Sequence, residues 1–432
     1  MFKIQHIKSD FIGIILLLSF SLVALFTRSF MGLSFLNFRL GEWLILGCLI
    51  LSCAGALVYY NKHEFAKLHF YLILSFIVLV LLFSDKSFLN PYVYKSSSYI
   101  WSIGFIYIGI YFTNNQPRSY FLYPLILLPV LHYFFSTGYY PNIVFEYFQN
   151  FSDKFEYPKG SDIFIVLISV NLILKNIITQ KSYVYLYSFT AGLLLPLLSY
   201  KSRGAALALV LYLVIEVLIN FKYFISYKKI FISSFLIFSI VFSFSSLRVA
   251  NNYNLIETDE EVLVSYQEVT GSITEIIAKK GTLQTFFSFY VENKRLISTD
   301  PTTNWRLDIW QDVYYDLKKE SKLLSGYGYL DTIPVMLDPT APGRLGNDGL
   351  NENVHNIFIT VLSRGGILHL LIYSLFFKSL FLKKSKYFNP NTLPLVIPAY
   401  VNSFFDVGLD GVQFPFVFFF TLGHIISVSK QK

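Results

Sequence analysis

Residues 11–27 read FIGIILLLSFSLVALFT, seventeen consecutive positions without a charged side chain. As a helix, a stretch of this length crosses most of the roughly 30 Å hydrocarbon core of a bilayer. Only an element that satisfies its own backbone hydrogen bonds is stable there, so the stretch predicts a spanning helix. Similar runs recur near 43–60, 68–84, 99–113, 119–136, 162–179, 183–199, 204–220, 230–247, 356–377, 393–405 and 412–428. The run at 393–405 is the weakest, because Pro394, Pro398, Asn402 and the following Asp406 interrupt it. Composition agrees: charged residues are 14% of the 432, against about 25% in soluble domains, and Phe and Tyr number 45 and 32. The expected fold is an all-α polytopic membrane protein with about 12 transmembrane helices and one large helical outer loop.

Three parts follow: spans 1–9 in 1–247, the large loop in 248–353, and spans 10–12 in 354–432. The first run follows Lys3 and Lys8 without a small-residue cleavage site, so it reads as a signal anchor. With the N-terminus cytoplasmic, the inner segments carry sixteen Lys and Arg residues and the short outer ones eight. This asymmetry places both termini in the cytoplasm and 248–353 outside. The net charge of +8 then reflects topology, and nucleic-acid binding is set aside because the lysines border spans and form no continuous patch. Cys48 and Cys53 share one span five positions apart, which favours neither a disulfide nor a metal site. No metal or cofactor is expected.

Within the loop, Glu257 to Glu261 and Lys279-Lys280-Gly281 bracket a first helix. A second is expected over 303–322, with Trp305, Ile309, Val313 and Leu317 on one face and Asp308, Asp312 and Asp316 on another, stopping before Gly326. Arg306 falls in its first turn, where the helix dipole disfavours a cation. A bound anion would hold it there; an ordinary surface arginine is the alternative. From Gly326-Tyr327-Gly328 to Asn353 the chain is rich in Gly, Pro, Asn and Asp, as expected of irregular backbone lining a binding site or of a flexible loop.

Two more positions carry chemistry. Ser202-Arg203-Gly204 joins two apolar runs almost without a connector, so Arg203 lies at the outer interface, paired for function or snorkelling to lipid phosphates. Val354-His355-Asn356 stands where the polar loop meets the tenth span, with Gly366 further on. His355 there is a cap, a packing residue or a base. His132 and His424, inside apolar runs, read as core.

Taken together, Ser-Arg-Gly at 202–204, Asn-Trp-Arg-Leu at 304–307, Trp-Gln at 310–311, Gly-Tyr-Gly at 326–328 and His355-Asn356 followed by Gly366 resemble the O-antigen ligase and polymerase family of bacteria. The motifs lie within 199–370; elsewhere the likeness is in span count. The resemblance implies that a glycan passes from an undecaprenyl diphosphate carrier to a sugar hydroxyl, with inversion and without metal or nucleotide, at the periplasmic face of the inner membrane. It implies His355 as the catalytic base and Arg203 and Arg306 as ligands of the diphosphate, with Asn356, Gly326, Gly328 and Gly366 in support. The partners are then the lipid-linked glycan donor, a glycan or lipid A-core acceptor, and membrane lipids. The family pattern continues from the glycine to a further Gly, Thr or Tyr, where this chain has His369. A ligase, a repeat-unit polymerase and a transporter or flippase of lipid-linked sugars are the three expectations; the lopsided polar loop and the lack of an internal repeat favour an enzyme.

Overall fold

In the computed structural model the described residues are 2–83, 88, 90–253, 288–339, 341, 344–345, 352–381, 390–406 and 408–431. They are overwhelmingly helical. In chain order the helices are α1 (Phe2–Met31), α2 (Leu40–Tyr59), α3 (Glu64–Phe83), α4 (Pro91–Ser96), α5 (Ser98–Trp101), α6 (Phe105–Asn114), α7 (Leu127–Ser136), α8 (Asn142–Phe151), α9 (Gly160–Lys175) and α10 (Gln180–Lys201). There follow α11 (Arg203–Ile219), α12 (Phe221–Ser226), α13 (Lys228–Tyr253), α14 (Pro301–Lys319), α15 (Ile357–Phe381), α16 (Leu393–Phe405) and α17 (Gln413–Gln431).

Every one of the twelve expected spans falls on helix. Among the described residues seven helical segments are long and apolar enough to cross a membrane: Phe11–Met31, Leu40–Tyr59, Glu64–Leu82, Ser119–Ser136, Gln180–Lys201, Lys228–Val249 and Ile357–Phe381. The other expected spans lie on shorter helices, and the one at 99–113 is divided into α5, a 3-10 turn at Ser102–Gly104, and α6. The chain is therefore an α-helical polytopic membrane protein.

The chain divides into two compact units, 1–77 with 97–249 and 371–432, and 78–96 with 250–370. In the first, glycines bring helix backbones together. A Cβ at Gly109 would lie 2.0 Å from the Phe420 carbonyl oxygen and one at Gly423 2.1 Å from that of Ile106, so α6 and α17 touch backbone to backbone at two points. Some buried polar groups along these helices pair within the unit. Thr113 Oγ1 bonds His424 Nδ1 at 3.0 Å, and His132 Nε2 meets the Ala24 carbonyl at 2.8 Å. Glu216, fully buried, takes Lys175 Nζ on both carboxylate oxygens at 3.0 Å and Asn220 Nδ2 at 2.9 Å. Cys48 is buried and Cys53 is exposed.

The second unit adds a β-hairpin to the expected helical loop. Phe289–Glu292 and Arg295–Ser298 pair as an antiparallel hairpin, β3 and β4, after a shorter hairpin in the first unit, Ser34–Phe35 with Phe38–Arg39 (β1 and β2). Asn293 and Lys294 turn the second hairpin with φ of 50° and 65°, the two positive values a two-residue hairpin turn requires. The first loop helix, 257–281, lies outside the described residues.

The expected second loop helix is present as α14. Asp300 caps it by accepting the Thr303 N–H at 2.9 Å. Ile309, Val313 and Leu317 are fully buried in a core with Ile333, Val335, Met336, Val354 and Leu362. The helix ends at Lys319, three residues short of the expected 322, because Ser321 (φ 57°) takes the left-handed position and the Lys322 N–H returns to the Leu317 carbonyl at 2.8 Å. Arg306 is the sixth residue of α14, not in its first turn, so the dipole argument for an anion there loses its force.

Candidate functional site

The aspartate face of α14 is a scaffold. Arg295 of β4 pairs with Asp308 at 3.3 Å and Asp312 at 2.7 Å, and Arg344 pairs with Asp312. Gln311 accepts the Leu296 N–H at 2.7 Å and donates to its carbonyl at 2.9 Å, fixing the hairpin edge to the helix. Tyr327 donates to Asp316 at 2.6 Å; burial and this carboxylate push its phenol pKa up.

On the same helix Trp305 and Trp310 face the chain entering α15. Trp310 Nε1 donates to the Val354 carbonyl at 2.7 Å. The Trp305 ring meets the His355 ring edge-on at 5.3 Å between centroids. Asn356 is the helix cap: its Oδ1 accepts the N–H groups of Phe358 at 2.9 Å and Ile359 at 3.3 Å. His355 therefore does not open the helix but precedes its cap, with φ at 54°. A histidine in left-handed backbone is uncommon, and such strain persists where neighbours over-determine it. Here the bonds that Val354 accepts on one side and Asn356 accepts on the other do so.

Gly326, Gly328 and Gly366 form one junction. Gly366 (φ 67°, ψ −168°) breaks α15, leaving carbonyls that an intact helix would use. The segment 323–328 satisfies them. Tyr327 N–H donates to Ser363 at 2.7 Å, Gly328 N–H to Arg364 at 3.1 Å, and Ile367 N–H in turn reaches the Leu323 carbonyl at 2.8 Å. Contact is too close for side chains, since a Cβ at Gly326 would be 2.6 Å from the Arg364 carbonyl and one at Gly366 2.2 Å from Leu324 O. Gly328 has free space around it and is needed only for its φ of 87°. His369 is accommodated by this break: its Nδ1 bonds the Tyr329 hydroxyl at 2.7 Å, and Gly365 leaves room for its ring.

Arg364, 4% exposed, was legible only as a charge inside an apolar run. Its guanidinium donates to the carbonyls of Gly328 and Asp331 and, at 3.2 Å, to Tyr92 Oη. Tyr92 in turn donates to Glu352 at 3.0 Å, which Lys95 also pairs at 2.9 Å. The arginine thus locks the Gly-Tyr-Gly segment from beneath.

Arg203 belongs to the first unit. It is the first residue of α11, half-buried, after Ser202, whose Oγ accepts the Ala205 N–H at 3.3 Å. A Cβ at Gly160 would stand 2.6 Å from Ser202 Cβ and one at Gly204 2.8 Å from Phe405 Cβ, so α9, α11 and α16 crowd the turn that presents it. The second unit brings Trp305 against His355 next to the Asn356 cap, and separately joins 323–328 to α15 at the glycine junction; Arg306 adjoins Trp305 in sequence.

Long apolar helices define a polytopic membrane protein, and its second unit holds a histidine in strained backbone. Residues 187–374, which contain Arg203, Arg306 and His355, match the family described as O-antigen ligase. The match supports membrane glycan transfer of O-antigen ligase or polymerase type. None of the curated proteins matches the chain.

Proposed function

We propose that the protein is an inverting, metal-independent glycan transferase of the ligase type, moving a glycan from undecaprenyl diphosphate to a hydroxyl of lipid A-core at the periplasmic face of the inner membrane. The observation that carries this reading is His355, set in left-handed backbone and pinned on both sides, within the region that matches the family. Imidazole, with a reference pKa near 6.5, takes a proton from the attacking hydroxyl near neutral pH. Arg203 and Arg306 are assigned to the diphosphate. Guanidinium forks bind phosphate oxygens bidentately and neutralise the charge that grows as the lipid diphosphate leaves. Both termini are then cytoplasmic, and 248–353 is periplasmic.

Purified protein supplied with undecaprenyl-diphosphate-linked glycan, with and without lipid A-core, tests the reading. Product that forms only with lipid A-core supports a ligase, chain growth on donor alone identifies a polymerase, and no transfer in either arm returns the transporter.

Two further results are expected. Arg203→Lys keeps a charge but not the fork, so turnover should fall at least tenfold; full activity would mean that Arg203 only snorkels. EDTA should leave the rate unchanged, and loss of turnover restored by a divalent ion would refute the assignment of metal-like charge neutralisation to arginine.

A further inference from the structure

Arg248 lies near the C-terminal end of α13, in the first unit. Its guanidinium carbon sits 4.5 Å from the ring centroid of Tyr139, 5.1 Å from that of Phe134 and 5.8 Å from that of Tyr133. Aromatic faces attract a cation but accept few of its hydrogen bonds. Nε and Nη2 are buried and bond to no described residue, and no described Asp or Glu pairs with the group. The Tyr133 hydroxyl beside it is buried and bonds to no described residue either. Three rings hold the fork in place while Nε and Nη2 meet no acceptor among the described residues, an arrangement that suits an anion.

The position narrows the anion's source. Tyr139 lies in the connection from α7 to α8, and Pro158, whose carbonyl accepts Lys201 Nζ at 2.9 Å, in the connection from α8 to α9. The Tyr140 and Tyr157 rings meet at 5.6 Å between centroids, so the two connections, and with them Arg248 and Arg203, share one end of this unit. Tyr139 is 61% exposed there, and Ile143, Tyr147 and Phe151 stand exposed at four-residue spacing along α8. An exposed apolar stripe at the end of membrane-spanning helices suits an acyl or isoprenoid chain at the bilayer interface.

We propose that Arg248, with Tyr133, Phe134 and Tyr139, is a binding site for the phosphate of a membrane lipid, distinct from the residues assigned to the reaction. The planar fork matches phosphate bidentately, and a lysine would not reproduce it. The phosphate belongs either to a phospholipid headgroup or to a lipid diphosphate.

The full-length protein in neutral detergent, titrated separately with phosphatidylglycerol and undecaprenyl diphosphate and read by native mass spectrometry, tests this without any transfer assay. Arg248→Lys and Arg248→Ala should each weaken one or both probes about tenfold, and Tyr139→Ala should weaken the same probe to a smaller degree. Loss with phosphatidylglycerol alone assigns a headgroup, loss with the diphosphate alone assigns the carrier, and loss with both assigns the shared phosphate. Wild-type affinity of the arginine variants for both probes overturns the site. Should Arg248→Ala not fold, Arg248→Lys, which keeps the stem and the charge, decides.

Discussion

His355→Ala is expected to abolish transfer, with a fall of about 10²–10⁴ in turnover, the usual contribution of a positioned acid or base. The protein should still reach the membrane folded, because the structural work nearby is done by other residues. Asn356 caps α15, and Val354 and Ile357 fill the core on either side. Alanine is nonetheless a poor occupant of backbone at φ 54°, so a loss of activity alone would mix strain with chemistry. His355→Asn separates them, since asparagine tolerates left-handed backbone but has no basic nitrogen. The asparagine variant should match wild type in thermal stability and the alanine variant in lost activity. Wild-type turnover by His355→Asn would sink the base and leave His355 as a conformational residue packed on Trp305.

What the sequence disclosed about this site follows from how local each feature is. The stripe Trp305, Ile309, Val313 and Leu317 was legible because a helix repeats its buried face within its own length. Trp305 itself was read as core, although its ring touches His355; the two are fifty positions apart and no periodicity links them. The hairpin at 289–298 went unread because its strands are four residues long and its turn is Asn293-Lys294 rather than Asn-Gly. Gly326 looked like a helix stop. Its actual use, close passage over Arg364, depends on a partner in another element. For the same reason Arg364 could be seen as a charge in an apolar run but not as a clamp on Gly328, Asp331 and Tyr92. Apolar runs gave the spans, yet the run at 99–113 hid a break, because α5, the 3-10 turn and α6 are alike in composition and differ only in hydrogen bonding.

Gly366→Ala is expected to destabilise the second unit by about 3 kcal/mol or more, the sum of an alanine forced into left-handed backbone and a steric overlap that no rotamer relieves. The new Cβ would stand 2.2 Å from the Leu324 carbonyl oxygen and 2.3 Å from its carbon, both backbone atoms, so the crossing segment 323–328 or the broken helix must move. Either movement stretches the bonds from Tyr327 to Ser363, from Gly328 to Arg364 and from Ile367 to Leu323, which satisfy the polar groups freed by the break. Gly328→Ala is the internal control. It also requires positive φ, 87°, but a Cβ there meets nothing within 4 Å, so only the conformational cost of about 1–2 kcal/mol remains. Thermal unfolding of the two variants in detergent should therefore rank Gly366→Ala well below Gly328→Ala, and both below wild type. Equal midpoints for the two variants would mean that 323–328 does not press on α15 at Gly366. Activity should follow the same order for a geometric reason: the break at Gly366 sets the direction of the half of α15 that begins at the Asn356 cap, and with it the placement of His355.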